Sequence, residues 1–295
     1  VNHDILLDLE AQGQVADLSD LDTIEEYTDQ MLSQMQDEGG IYGVPTIVSA
    51  FGLYCNLDLL KEHKQEVPRN LEEWKEVCEY FKKEGIMPII ANNDISLKTL
   101  AIGRGFFSVY QQERQEEVFA QLNSGEENIS QYLEPGFALV QELIDEEYID
   151  AEKTLDTLKT SDDLEEFAKG TSPFMLTGAW AAGRMEGMES DFAFEVDPIP
   201  ALDDGGFLVI NADVRLSVNA DSKHMEAAKK FVEYFTQEDN IQKFAGQQSS
   251  FSPLKSGKAS TVSEMQPLVP CYQAGRTVIG ADGLLNLPIW NLTAE

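Results

Sequence analysis

Residues 70–91 place a helix and a buried strand in direct succession, and that order points the chain toward an α/β architecture. Asn70 stands where a helix needs its first side-chain acceptor, with Glu73 three residues on. Leu71, Trp74, Val77, Cys78 and Phe81 then recur at helical spacing, and Gly85 ends the helix. The apolar run Met87-Pro88-Ile89-Ile90-Ala91 follows at once, completing one α/β unit. The order recurs along the chain. A second helix is expected after Pro135, with Phe137, Val140, Leu143 and Ile144 on one face. A third covers about residues 162–169 with Gly170 as its stop, and the strand Phe174-Met175-Leu176 comes next. Leu216-Ser217-Val218 reads as a strand before a helix that turns Ala227, Ala228, Phe231, Val232 and Phe235 inward. Thr236 is expected to cap a further helix, with Asp239 at its third position. The opening His3-Asp4-Ile5-Leu6-Leu7 reads as a strand.

Length sets the number of such assemblies. With 295 residues the chain should form about two domains. No repeat and no Gly/Ser- or Pro-rich tether divides it, so the domains should be joined by short crossings. Apolar residues make up 42% of the chain, enough for a real core, so its charge does not mean disorder. That charge is large: 21 basic against 53 acidic residues leave a net −32. It repels phosphate backbones and anionic lipid surfaces, which excludes nucleic acid as a partner and disfavours direct membrane binding. The longest nearly uncharged apolar stretch, residues 173–183, is too short to cross a bilayer, and no signal-peptide pattern opens the sequence. Cys55, Cys78 and Cys271 are too few for a disulfide framework.

Motifs for bond-making chemistry are missing, and no cofactor is expected. There is no Walker-type loop and no Gly-x-Ser-x-Gly elbow. Gly103-Arg104-Gly105 lacks the third glycine of a dinucleotide loop and reads as a helix end. His3, His63 and His224 show no metal-ligand spacing, and the last two sit among charged residues, where solvated positions are expected. Asp17, Asp20 and Asp22 lack the glycine of a calcium loop and read as first-turn helix charges. A glycosidase-like carboxylate pair is conceivable, but among 53 acids none stands out, and a solvated acidic face is the plainer reading.

Several segments in order carry a resemblance. They are Asp4-Ile5 with Gly13-Gln14-Val15-Ala16-Asp17-Leu18; Ile41-Tyr42-Gly43-Val44-Pro45; and Leu53-Tyr54-Cys55-Asn56-Leu57-Asp58-Leu59-Leu60. Val67-Pro68-Arg69-Asn70-Leu71-Glu72-Glu73-Trp74 and Phe167-Ala168-Lys169-Gly170 follow, the latter running on to Phe174-Met175-Leu176-Thr177-Gly178-Ala179-Trp180. Residues 217–235 and 250–253 complete the set. Together they resemble the family-1 extracellular solute-binding proteins of ABC importers, of which maltose-binding protein is the familiar member. Cys55 stands where the family commonly has Tyr, and Leu57 where it commonly has Lys.

The resemblance implies a two-lobed periplasmic-binding-protein-like fold of type II. Lobe 1 would comprise residues 1–47 and 214–257, incomplete at its N-terminus, and lobe 2 residues 48–213 and 258–295. Crossings are expected near Thr46 to Gly52, Asn211 to Arg215 and Ser256 to Thr261. A ligand held between the lobes would close them by hinge motion, and a membrane permease would read the closed form. Family members normally extend further at both ends, so the chain is expected to be a fragment. The protein is expected outside the cytoplasm, either as a cell-surface lipoprotein or in the periplasm, and to meet the membrane only through a lipid anchor outside this chain.

For the site, the resemblance puts Trp180 at a sugar-stacking position, where an indole covers the C–H face of a ring; the alternative is a core tryptophan. Arg184, four residues on, would donate to hydroxyls or pair with an acid. Ser49 lies in the first crossing and Asn211 and Asp213 in the second. Asn92, Asn93 and Asp94 follow a buried strand at its carboxyl end, where α/β sheets place ligand groups, though such residues also make turns. Phe251 and Trp290 are further aromatic candidates, Tyr42 and Tyr54 are expected to support the first crossing, and Trp74 belongs to the core. No arginine cluster points to an anionic ligand. A neutral carbohydrate, an oligosaccharide first of all, is the expected cargo, with a non-sugar solute such as a polyamine or a polyol phosphate, which relatives also carry, as the alternative. The competing class is a carbohydrate-active enzyme using paired carboxylates.

Overall fold

In a computed structural model that describes residues 3–37, 39–188, 190–257 and 262–293, the helix after Asn70 runs Leu71–Lys83. Asn70 accepts from the Glu73 N–H at 2.9 Å. The Glu73 carboxylate reaches back one residue further than a capping box requires, to the N–H of Arg69 at 2.8 Å. Trp74, Val77, Cys78 and Phe81 are buried, and Gly85 closes the helix in the left-handed region at φ 77°. The strand that follows is short, Ile89–Ile90.

The chain divides into two compact units. One holds Val1–Ser49, Asn211–Ser260 and Asp282–Leu284; the other holds Ala50–Ile210, Thr261–Ala281 and Leu285–Glu295. The long strands Val44–Asn56 and Gly205–Leu216 contribute to both. Of the expected third crossing, residues 258–261 lie outside the described residues.

In the larger unit, Phe51 to Cys55 pair antiparallel with Phe174–Gly178, which pairs parallel with Ile89–Ile90. Leu53 to Asn56 also pair antiparallel with Phe194–Asp197. Leu208 to Ile210 run parallel to Thr277–Ile279. One hydrophobic core joins these strands to the helices, with Leu53, Trp74, Phe81, Leu100, Phe174 and Phe207 at its centre. Trp74 is fully buried there, as its helical spacing implies. Cys55, Cys78 and Cys271 are buried free thiols.

Two helices differ from expectation for one steric reason. Gly103 and Gly105 are not at a helix end but inside Ser96–Gln111. The helix expected after Pro135 begins earlier, as Ser130–Asp145, and buries Leu133, Gly136, Leu139 and Leu143 while Phe137 is exposed. The glycines let these elements approach closely. A Cβ on Gly136 would lie 2.0 Å from the Ala101 carbonyl oxygen, one on Gly105 2.5 Å from that of Tyr132, and one on Gly103 2.2 Å from the Phe207 ring. Close approach therefore overrides the usual helix-stopping use of glycine.

In the smaller unit, residues 3–7 are not a strand but the start of the helix His3–Ala11. Short apolar runs fit either period, and here Leu6 is buried against Gly43 while Ile5 faces solvent. Gly13, at φ 66°, ends that helix. Asp17 holds a turn by accepting from the Ser19 N–H and the Ile41 N–H, whereas Asp22 does lie in the first turn of the 3-10 helix Asp22–Glu26. The strand expected at residues 216–218 instead ends at Leu216. In Met225–Phe235 only Val232 is fully buried; Phe231 and Ala227 are exposed because the inward stripe passes through Ala228, Val232 and Phe235. Thr236 does not start the next helix, Glu238–Gln247, but closes the previous one, its hydroxyl bonding the Val232 carbonyl at 2.9 Å. His63, in the larger unit, is half-buried against Tyr80 and Phe81 rather than solvated, and His224 is exposed.

A half-buried carboxylate with one oxygen shut off from solvent, Asp197, sets a pH dependence. Asp197 faces Leu53 in the strand register and its Oδ2 has no hydrogen-bond partner. Burial, reinforced by the neighbouring Glu195 carboxylate, pushes its pKa up to about 7. The folded chain therefore keeps a proton that the unfolded chain releases near 3.8, and stability falls as pH rises from there to about 7. Asp197→Asn is expected to raise stability at pH 8 by on the order of 1 kcal/mol or more and to flatten that slope. Thermal melts between pH 4 and 8 measure it; a slope unchanged by the substitution would assign the pH response elsewhere.

Candidate functional site

The strand Phe174–Gly178 ends in a 3-10 turn, Ala179–Ala181, and Trp180 sits in that turn, half-buried. Tyr54, on the neighbouring strand, donates from its hydroxyl to the carbonyls of Gly178 (2.9 Å) and Ala179 (3.2 Å), which fixes the turn. Burial, with the Asp163 charge adding to it, drives the Tyr54 phenol well above its ordinary range, so it remains a donor. Gly178 is required beneath the indole, since a Cβ there would fall 2.2 Å from Trp180 Cη2.

Phe51 lies opposite Gly178 in the register and is buried. The Trp180 indole meets its ring edge-on at 4.9 Å, and Trp290, from the short helix Ile289–Leu292, tilts onto the same ring at 6.1 Å. Two half-buried indoles thus share one buried phenyl ring. Phe51, Tyr54 as a turn lock, and Gly178 escape a reading of the sequence as ligand groups. The available signal was the unbroken apolar run around Phe51 and the glycine two residues before the tryptophan.

The segment Asn92-Asn93-Asp94 divides its labour. Asn92 is buried, and its side-chain oxygen accepts from the N–H groups of Ile95 (2.9 Å), Asp94 (3.2 Å) and Ser96 (3.4 Å), starting the helix Ser96–Gln111. Its amide donates to Asp163 Oδ2 at 2.9 Å and to Thr177 Oγ1 at 3.4 Å. Its bonding capacity is therefore spent within the protein. Asn93 is exposed, and its N–H donates to the Thr157 carbonyl at 2.9 Å. Asp94 is half-buried and ion-paired with Lys98 (3.1 Å) and Lys159. Burial alone would raise its carboxyl, but hydrogen bonds from the two ammonium groups outweigh that and hold it below the usual range. Arg184 is exposed and donates to the Thr160 carbonyl at 3.1 Å. Asn93, Asp94 and Arg184 thus gather around one loop, residues 157–161.

A separate hollow of about 280 Å³, with a mixed polar and apolar lining, lies beside the strand Ile89–Ile90 and includes Asp150, Lys153 and Glu166. Its charges are met internally, Glu166 pairing with Lys153 at 2.7 Å and Lys169 at 2.6 Å.

The remaining candidates belong to the smaller unit. Ser49 is buried and donates to Asp213 Oδ2 at 3.1 Å, while Asp213 itself is exposed. Asn211 is half-buried. Phe251 is buried, its backbone exchanging hydrogen bonds with Val48 (2.8 and 2.9 Å). Among the described residues no group of three or more His, Cys, Asp or Glu side chains is placed to hold a metal, and no helix is long and apolar enough to cross a membrane.

Comparison with known proteins meets this arrangement. The chain is 24% identical over 237 residues to the multiple sugar-binding protein of Streptococcus mutans, covering 77% of this chain and 55% of that one. It therefore spans little more than half the length of that curated relative. Its fold matches apo RafE from Streptococcus pneumoniae with a TM-score of 0.73 at 19% identity, over 99% of this chain and 76% of that one. It also matches a sugar transporter protein of Bacillus licheniformis, solved with stachyose, with a TM-score of 0.69 at 21% identity, over 96% of this chain and 74% of that one. These likenesses show a mixed α/β, two-lobed solute-binding fold. The model of the family described as bacterial extracellular solute-binding protein matches residues 2–270, nearly the whole chain, which belongs to that family.

Proposed function

We propose that the chain captures an oligosaccharide outside the cytoplasm and delivers it to the permease of an ABC importer. The observation that carries this reading is the pair of half-buried indoles, Trp180 and Trp290, packed on one buried ring, Phe51. A sugar ring offers a flat face of C–H groups to such a surface and keeps its hydroxyls at the rim. Relatives named for multiple sugars, or solved with raffinose and stachyose, support the same ligand class. The exposed Asn93 amide and the Arg184 guanidinium are the polar groups assigned to the ligand in this unit. Asn92 is assigned to positioning.

The reading is non-enzymatic, and attachment at the cell surface through a lipid anchor belongs to it. Thermal melts of the chain with raffinose and stachyose, with spermidine and glycerol phosphate alongside, test it. A sugar at a hundredfold excess over its Kd should add about 2.7 kcal/mol of stability. Chromatography of the same mixtures should show the sugar unchanged. A shift with spermidine alone would overturn the carbohydrate assignment, and cleaved sugar would make the protein an enzyme.

A further inference from the structure

The strand Gly205–Leu216 breaks its own pattern at Val214. Its φ of 49° is left-handed, a region that a β-branched residue occupies only under constraint. A regular strand alternates its faces, yet here Asp213 and Val214 are both exposed while Ala212 and Arg215 on either side are buried. Three hydrogen bonds hold the irregularity. The Val214 N–H donates to Asp213 Oδ1 at 2.8 Å, Ser49 Oγ donates to Asp213 Oδ2 at 3.1 Å, and Thr46 Oγ1 donates to the Val214 carbonyl at 2.9 Å. Ser49 and Thr46 are both buried. Two buried hydroxyls and one strained residue therefore serve to aim a single solvent-facing carboxylate.

Backbone strain persists where the surroundings over-determine it, and it collects at sites that must hold a geometry. Each Asp213 oxygen accepts one internal bond, and an ionised carboxylate oxygen has capacity for a second and can only accept. Two adjacent acceptors held in place on an exposed side chain suit two neighbouring O–H donors. We propose that Asp213 receives adjacent hydroxyls of a polyhydroxylated ligand, with Val214 as the positioning residue that presents it. The proposal rests on the carbohydrate-capture reading. A fixed carboxylate would also receive an ammonium group, so the test separates the two.

The test is calorimetric titration of the wild-type chain, Asp213→Ala, Asp213→Asn and Val214→Gly with raffinose, stachyose and spermidine, beside ligand-free thermal melts. Asp213→Ala is expected to lose about thirtyfold in affinity for whichever sugar the wild type binds. Asp213→Asn, which keeps one acceptor, should lose less. Val214→Gly should lose about three- to tenfold with no drop in the ligand-free midpoint, since the carboxylate stays but its aim is released. Sugar affinity within twofold of wild type in both Asp213 variants would overturn the proposal and leave sugar capture standing. A wild type that binds neither sugar overturns both. Spermidine binding abolished by Asp213→Asn would assign the carboxylate to a cation instead. Should Asp213→Ala fail to fold, the isosteric Asp213→Asn decides alone, and unchanged affinity there overturns the proposal.

Discussion

Trp180→Ala is expected to weaken oligosaccharide binding by about 30- to 1000-fold, a loss of about 2–4 kcal/mol. The indole is half-buried and rests edge-on against Phe51, so its orientation is set before any ligand arrives. Pre-set aromatic surface is what makes a stacking contact strong, because little rotamer freedom is lost on binding. A companion substitution separates stacking from general damage. Gly178→Ala adds only a methyl group, but that group would overlap the indole at 2.2 Å from Cη2 and force it aside. It should lower affinity although residue 178 has no side chain to offer a ligand. Calorimetry on both variants is the measurement, and wild-type affinity in Trp180→Ala would remove the aromatic trio from the site.

Gly136→Ala is expected to be the most destabilising single substitution considered. The new Cβ would meet the Ala101 oxygen at 2.0 Å and the Ala101 Cα and carbonyl carbon at 2.6 Å. All three are backbone atoms of the helix Ser96–Gln111, so no side-chain rotation relieves the clash. The two helices must separate and open voids along Leu133, Leu139 and Leu143, at a cost of about 3 kcal/mol or more. The thermal midpoint should fall by about 6–12 °C. A drop below about 2 °C would mean that the helices part freely. Gly103→Ala is the useful comparison, since its nearest obstacle is the Phe207 side chain rather than backbone.

The sequence is clearest where one local rule acts alone. The Asn70 cap, the stripe through Trp74 and Phe81 and the Gly85 stop are set by neighbours within about one turn, so the helix Leu71–Lys83 is legible to its ends. The glycines of the helix Ser96–Gln111 are not, because they answer to Phe207 and Tyr132, residues distant in the chain. Residues 3–7 fit both periods, and only the contact of Leu6 with Gly43 decides for helix. In the candidate site, Trp180 and Trp290 stand out by type, but their common support, Phe51, is indistinguishable in sequence from any other buried strand residue. Asn92 shows the reverse: its residue type and place suit a ligand contact, while its side-chain hydrogen bonds go to the start of the helix Ser96–Gln111, to Asp163 and to Thr177. A polar side chain at a strand end carries no mark of which partner it has taken.

The division of the chain also bears on how the protein is made. Residues 50–210 are continuous and supply most of the larger unit, whereas the smaller unit waits for Asn211–Ser260 to join Val1–Ser49. During synthesis residues 1–49 leave the ribosome well before residues 211–260, with which they form the smaller unit. Val48 exchanges both of its backbone hydrogen bonds with Phe251, and Tyr27 bridges to Leu254, so these pairings close loops of some two hundred residues. Contacts of such separation must meet a large loop-closure entropy before they are rewarded, so the smaller unit, where Leu18, Tyr27 and Met31 are buried, is the slower of the two to assemble.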